Sequence, residues 1–146
     1  RSAFQILAIP YQIIDGSLFY CVFHRADFNQ WQFIAGGGEE GETPLEAAKR
    51  ETFEESGAQS DKWVELKSLS YIPAEVISEK HRKYWRKDTY VIPEYTFGFE
   101  CKDDIKLSRE HTEFVWLNYD EALKKLRWDS NRTALYELNC RLKVRQ

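Results

Sequence analysis

The chain has 146 residues, 42% of them hydrophobic and 31% charged, with a formal net charge of −3. That length supports one domain with a real core, expected over residues 1–146, and the negative balance argues against nonspecific binding to a nucleic-acid backbone. No apolar run approaches the ~18 residues of a membrane span and no signal peptide is visible, so the expectation is a cytoplasmic protein with no membrane partner. Cys21, Cys101 and Cys140 are odd in number, far apart, and fit no zinc spacing or secreted disulfide framework. They are expected as reduced thiols. The first residue is Arg1 and not Met, which leaves room for native residues before it. Oligomeric state is not legible.

Residues 3–9 (AFQILAI) and 17–23 (SLFYCVF) read as strands, with a turn signal at Asp15-Gly16 between them. His24 and Arg25 follow, then a polar loop. Residues 31–35 (WQFIA) read as a strand feeding Gly36, Gly37 and Gly38. Strand, glycine turn and helix start in succession aim backbone N–H groups at an anion. Gly36 and Gly37 are therefore candidate phosphate contacts. Arg25 is a candidate cationic one, with a plain surface arginine as the alternative.

The helix that follows carries its own boundaries. Thr43 reads as the N-cap, Pro44 occupies the first helical position, and Glu46 completes a capping box. Gly57 is placed to end the helix in a left-handed turn. Glu51, Glu54 and Glu55 stand at i, i+3 and i+4 and share an arc of about 100°, while Leu45, Ala48 and Thr52 form the adjacent arc that packs inward. Each like-charged i,i+4 pair costs a helix about 0.2–0.5 kcal/mol, and a divalent cation reverses that sign. Oxygen donors without Cys or His suit Mg²⁺ or Mn²⁺. Arg50, one turn from Glu46 and from Glu54, can brace the carboxylates. A solvated acidic face is the plain alternative.

Residues 63–69 read as a further strand, and 70–78 as an extended segment interrupted by Pro73. Residues 79–90 (EKHRKYWRKDTY) are the most basic stretch: either a rim that meets a triphosphate or a solvated loop. Strands are expected over 95–101 and 113–117, the latter preceded by Glu110-His111. Asn118 and Glu121 spell a second capping box opening a helix through Leu126. Ser130 is the expected cap of a last helix with Leu135, Leu138 and Leu142 on one stripe. Strands, helix, strands, helices with short connections suit a mixed sheet covered by helices on both faces.

Read together, Gly36, five residues, Glu42, seven residues, then Arg50-Glu51-x-x-Glu54-Glu55-x-Gly57 resembles the Nudix box at each of its fixed positions. Thr52 and Ala58 stand where larger aliphatic residues are more usual. The resemblance implies the Nudix α/β/α sandwich with a mixed sheet, and hydrolysis of a phosphoric anhydride. It implies Glu51, Glu54 and Glu55 as metal ligands, the Ala35 carbonyl as a further one, Arg50 and Glu42 as orienting residues, and either Glu54 or Glu110 as the base. His111 is expected to be structural or a phosphate hydrogen-bond donor.

Outside the box the chain is similar to the bacterial dihydroneopterin triphosphate (dATP) pyrophosphohydrolases. The entry Trp31-Gln32-Phe33-Ile34-Ala35-Gly36, the pair Glu110-His111 before Trp116-Leu117, and Trp128-Asp129-Ser130-Asn131-Arg132 carry that similarity. The last of these makes Asn131 a candidate substrate contact. The implied ligands are Mg²⁺ or Mn²⁺ and a small-molecule nucleoside or pterin triphosphate, with no nucleic-acid partner. Other Nudix substrates, such as dinucleoside polyphosphates, oxidised dNTPs and nucleotide sugars, stay open, as does a non-catalytic ligand-sensing or RNA-binding module. Phe28, Trp31, Tyr84, Trp85, Tyr95 and Trp128 are all candidates for stacking on a ring, and the sequence does not choose among them.

Overall fold

Asp15 and Gly16 both adopt positive φ, 50° and 80°, and close a two-residue hairpin of the kind that matches strand twist. They join β1 (Gln5–Ile14) to β2 (Ser17–Arg25), paired antiparallel from Ile14↔Ser17 to Tyr11↔Tyr20. Beyond Tyr11 the two strands part. The first half of β1 pairs instead with β4 (Ile34–Gly37), from Ala8↔Ile34 to Gln5↔Gly37, while the two-residue β3 (Trp31–Gln32) stays with β2. The glycine turn therefore emerges from the gap where β1 and β2 diverge.

On its other edge β1 runs parallel to β6 (Val91–Glu100), which pairs antiparallel with β5 (Trp63–Pro73). β7 (His111–Leu117) pairs antiparallel with β2 from Leu117 back to His111. The result is a seven-stranded mixed sheet. Here a computed structural model describes residues 1–145, with side chains through residue 143.

Alternation along β1 divides the core. Ile6 and Ala8 face α1 (Pro44–Ser56) with Phe97 and Phe99, whereas Leu7, Ile9 and Tyr11 face α3 (Tyr119–Lys125) and α4 (Asp129–Arg145) with Tyr20 and Val22. Leu135, Leu138 and Leu142 form the expected buried stripe of α4. The helix comes so close to the sheet that a β-carbon on Gly98 would collide with the Leu138 side chain. The architecture is the expected α/β/α sandwich.

Three local expectations change. The segment after residue 69 remains in β5 as far as Pro73, whose missing N–H is tolerated on this edge strand; a short 3₁₀ turn, Ala74–Val76, follows. The basic stretch is not wholly a loop, since α2 (Glu79–Arg82) forms within it. Ser130 does not cap α4. The helix already begins at Asp129, and the Ser130 hydroxyl faces Glu94 of β6. Asn118 does cap α3, accepting from the Glu121 N–H at 2.9 Å. Among the described residues, no helix is long and apolar enough to cross a membrane.

Candidate active site

The signals around α1 resolve as hydrogen bonds. Thr43 Oγ1 accepts from the Glu46 N–H at 3.2 Å, and Glu46 Oε1 accepts from the Thr43 N–H at 2.9 Å. At the other end Gly57 takes φ 73° and donates to the Phe53 carbonyl at 2.9 Å. Ala47, Ala48 and Thr52 are fully buried, and small residues there let α1 lie against Ile6 and Phe97. Leu45 packs only at the margin. This seats the Glu51 carboxylate where a β-carbon on Gly36 would be, so glycine at residue 36 leaves the carboxylate its place against the turn.

Arg50 ties the turn to the helix. It donates to both oxygens of Glu42, Nε to Oε2 at 2.7 Å and Nη2 to Oε1 at 3.0 Å, and to the Gly37 carbonyl at 2.8 Å. Its remaining nitrogen, Nη1, reaches Glu51 at 3.1 Å and Glu54 at 3.2 Å. The Arg50 hydrogen bonds hold the Glu42 carboxyl below its ordinary pKa, and those of Glu42 above all raise the pKa of Arg50. Glu42 also accepts from the Glu39 N–H at 2.7 Å, closing the glycine turn on itself.

Behind this hub lies a carboxylate cluster with too few donors. Glu55 is 3% exposed, its Oε2 finds no hydrogen-bond partner, and it faces the carboxyl groups of Glu51 and Glu110. Burial first, then the charges of Glu110 and Glu51, push the Glu55 carboxyl up to about 11. Burial likewise raises Glu51, against the pull of its hydrogen-bonding neighbours. Glu110 arrives through the β2–β7 pairing, where its carbonyl accepts from the Ala26 N–H at 2.8 Å.

His111 is 5% exposed, with Nδ1 3.9 Å from Glu55 Oε1 and no hydrogen-bond partner on either ring nitrogen. Burial lowers its pKa. Arg25 stands opposite His111 in the sheet, but its guanidinium is held by Asp27 at 2.8 and 2.6 Å and lies 5.2 Å from the Phe28 ring centre.

The donor set suits a hard divalent cation. Carboxylate oxygens converge beside the unpartnered His111 ring, one oxygen is buried without a donor, and positive charge there turns mutual repulsion into attraction. Among the described residues, no three His, Cys, Asp or Glu side chains are already gathered into a metal-holding group. Arg50 engages Glu54 and one oxygen of Glu51 itself. Ala35 lies in β4 opposite Leu7, one residue before the Glu51 contact at Gly36.

The sequence-selected residues do not all meet. Glu51, Glu55, Glu110 and His111 converge, with Glu54 and Glu42 joined to them through Arg50. Asn131 sits elsewhere: it is buried, accepts from the Phe33 N–H at 3.0 Å, and donates to Ser130 at 3.3 Å. Its side chain thus braces the link between β3 and β4. Two features escaped the sequence. One is the Gly37 carbonyl as a partner of Arg50. The other is Glu94, signalled only by a lone carboxylate within the otherwise apolar run VIPEYTFGF.

Similarity to known proteins points to one family. The NUDIX domain model matches residues 13–138. RNA pyrophosphohydrolase of Caulobacter vibrioides is 34% identical over 120 residues, covering 74% of this chain and 67% of its own. The asymmetrical bis(5'-nucleosyl)-tetraphosphatase of Sus scrofa is 31% identical over 116 residues, covering 75% and 69%. Among solved structures, a NUDIX hydrolase from Listeria monocytogenes superposes with a TM-score of 0.86 at 42% identity, over 99% of this chain and 97% of that one. The dihydroneopterin triphosphate pyrophosphohydrolase of Escherichia coli shares the fold at TM-score 0.70 and 22% identity, over 95% and 97%. Fold and carboxylate cluster together define a hydrolase of phosphoric anhydride bonds. The chain belongs to the Nudix family, whose hydrolases generally use divalent metal ions.

Proposed function

We propose that the chain is a metal-dependent pyrophosphohydrolase that cleaves a nucleoside or pterin triphosphate, dihydroneopterin triphosphate or dATP, to monophosphate and pyrophosphate. The buried Glu55 carboxyl, short of donors and facing Glu51 and Glu110, carries this reading. Glu51, Glu54 and Glu55, with the Ala35 carbonyl, would hold Mg²⁺ or Mn²⁺. When bound, such an ion neutralises phosphate oxygens and acts as a Lewis acid.

The chain's own groups do the rest. Arg50 orients Glu51 and Glu54 while its clamp on Glu42 and Gly37 fixes the turn. Backbone groups at Gly36 and Gly37, with Arg25 released from Asp27, meet the phosphate chain. Glu110 takes the proton of the attacking water, with Glu54 as the other candidate, and His111 beside Glu55 donates to a phosphate oxygen. Asn131 contributes by setting the Phe33 backbone, and so the entry to the turn.

A second reading keeps the chemistry and changes the substrate to an RNA 5' end or a dinucleoside tetraphosphate. The names of the two curated relatives favour it, and the pterin-triphosphate enzyme is the more distant in sequence. Turnover of dihydroneopterin triphosphate, dATP, 5'-triphosphorylated RNA and diadenosine tetraphosphate, compared as kcat/KM with products identified, decides between them. A preference of tenfold or more for either of the first two supports the first reading. The same preference for RNA or the dinucleotide replaces it.

A further inference from the structure

Glu94 is a carboxylate in the wrong company. Alternation along β6 places it on the α4 face between Ile92 and Thr96, both buried, and it is itself 6% exposed. Its Oε1 finds no hydrogen-bond partner, and its contact is with Ser130 in the first turn of α4. Burial raises its pKa and the Ser130 bond draws it back. An acid kept buried with an unsatisfied oxygen costs stability that an apolar residue would not.

Its position gives it a use. In the sheet, Gln5 is paired with Glu94 on one side and with Gly37 on the other. Directly paired residues share a face, so Glu94 stands two strand spacings, about 10 Å, from the turn that Arg50 clamps. The Arg1 guanidinium occupies the face above Gly37, donates to Gln5 at 2.8 Å, and lies 5.8 Å from the Trp85 ring centre. Trp85 in turn donates to the Arg1 carbonyl at 2.7 Å. Trp128, about half exposed, directly precedes α4. A ring lying over Glu94 would leave its phosphates at the glycine turn.

We propose that Glu94 reads the heterocycle of the substrate, accepting two hydrogen bonds from the ring N–H and adjacent amino group of a 2-amino-4-oxopyrimidine edge, the edge that guanine and pterin share. The inference rests on the reading of the chain as a triphosphate pyrophosphohydrolase and names the ring that its site selects. Charge-assisted pairs of this kind are about twice as strong as neutral ones, and the ring donors would give the unpartnered Oε1 the hydrogen bond it lacks. Adenine presents a lone pair beside its amino group, so one carboxylate oxygen would face another acceptor.

The test compares wild type with Glu94→Gln in two assays. Metal-free equilibrium binding uses GMP, neopterin and AMP; Mg²⁺-dependent kcat/KM uses GTP, dihydroneopterin triphosphate and ATP. Wild type should prefer the 2-amino-4-oxo rings over adenine by about 10²-fold or more in both assays, because rejecting a ring with the wrong donors leaves buried groups unpaired. The amide of Glu94→Gln presents a donor and an acceptor that match adenine, so this variant should reverse the preference. The ratio of GTP to dihydroneopterin triphosphate separates the two sources of the edge. Equal binding of all three ligands by wild type, a preference for adenine, or a uniform loss in Glu94→Gln overturns the inference. Selective binding without turnover would leave it standing and remove the hydrolase reading instead.

Discussion

At Glu55 burial and like charge act in the same direction, and this makes the residue a reporter of its own site. Its carboxyl is pushed from 4.5 to about 11, so its favourable contribution is complete below about 4.5 and is lost as pH rises toward about 11. The metal-free protein should therefore melt at a lower temperature at pH 9 than at pH 6, and Mg²⁺ should narrow the difference. Glu55→Gln keeps the shape and removes the titration, so its melting curves should show a much flatter pH dependence over that range. Glu110 is tested by rate. Glu110→Gln should slow turnover by ~10²–10⁴ if it is the base, and a change under severalfold returns that role to Glu54. Arg50→Lys keeps the charge but cannot hold Glu42 bidentately and also reach Gly37. A loss of about 2 kcal/mol in urea denaturation is expected, together with reduced turnover.

At the scale of elements, α1 and β5 are held by different means. α1 was legible almost residue by residue, because each end carries a local chemical signal: Thr43 with Glu46, and Gly57 in a left-handed turn. The start of α4 was not. Ser130 has the chemistry of a cap, but the helix begins one residue earlier and the hydroxyl is drawn to Glu94, a contact 36 positions back in the chain. The irregularity in β5 between Glu65 and Leu69 was equally invisible. It is pinned by Glu137 of α4, which accepts from the Lys67 and Ser68 N–H groups and the Ser68 hydroxyl at 2.7–3.0 Å and pairs with Arg141 at 2.8 Å. Burial alone would raise this carboxyl, yet these donors hold it down at about 2. Its stabilising effect is present above the ordinary value of 4.5 and lost as pH falls toward 2. Glu137→Gln should lower the melting temperature at pH 7 and reduce the acid sensitivity of the fold between pH 5 and pH 2.

Over the whole molecule, the layers were readable from periodicity, while the way the strands converge was not. Alternation in β1 foretells two covered faces, but not that the half of β1 before Tyr11 leaves β2 to admit β3 and β4. Nor does it foretell the β2–β7 pairing that brings Glu110, 55 residues after Glu55, to the helix, a pairing that no local pattern encodes. The box therefore declared its own carboxylates but left the neighbouring Glu110 and His111 undecided. The same long-range assembly put Asn131 behind Phe33 and left Glu94 under α4.

The central claim is that the α1 carboxylates gather a cation that makes anhydride cleavage possible. A Mg²⁺ titration of pyrophosphate release from a nucleoside or pterin triphosphate, run on wild type and Glu55→Gln together, tests it most directly. Saturable, Mg²⁺-dependent release with one monophosphate per pyrophosphate, nearly abolished in a Glu55→Gln protein that still folds, is the predicted result. Release that is unaffected by chelation, or that survives in Glu55→Gln at saturating Mg²⁺, would contradict it.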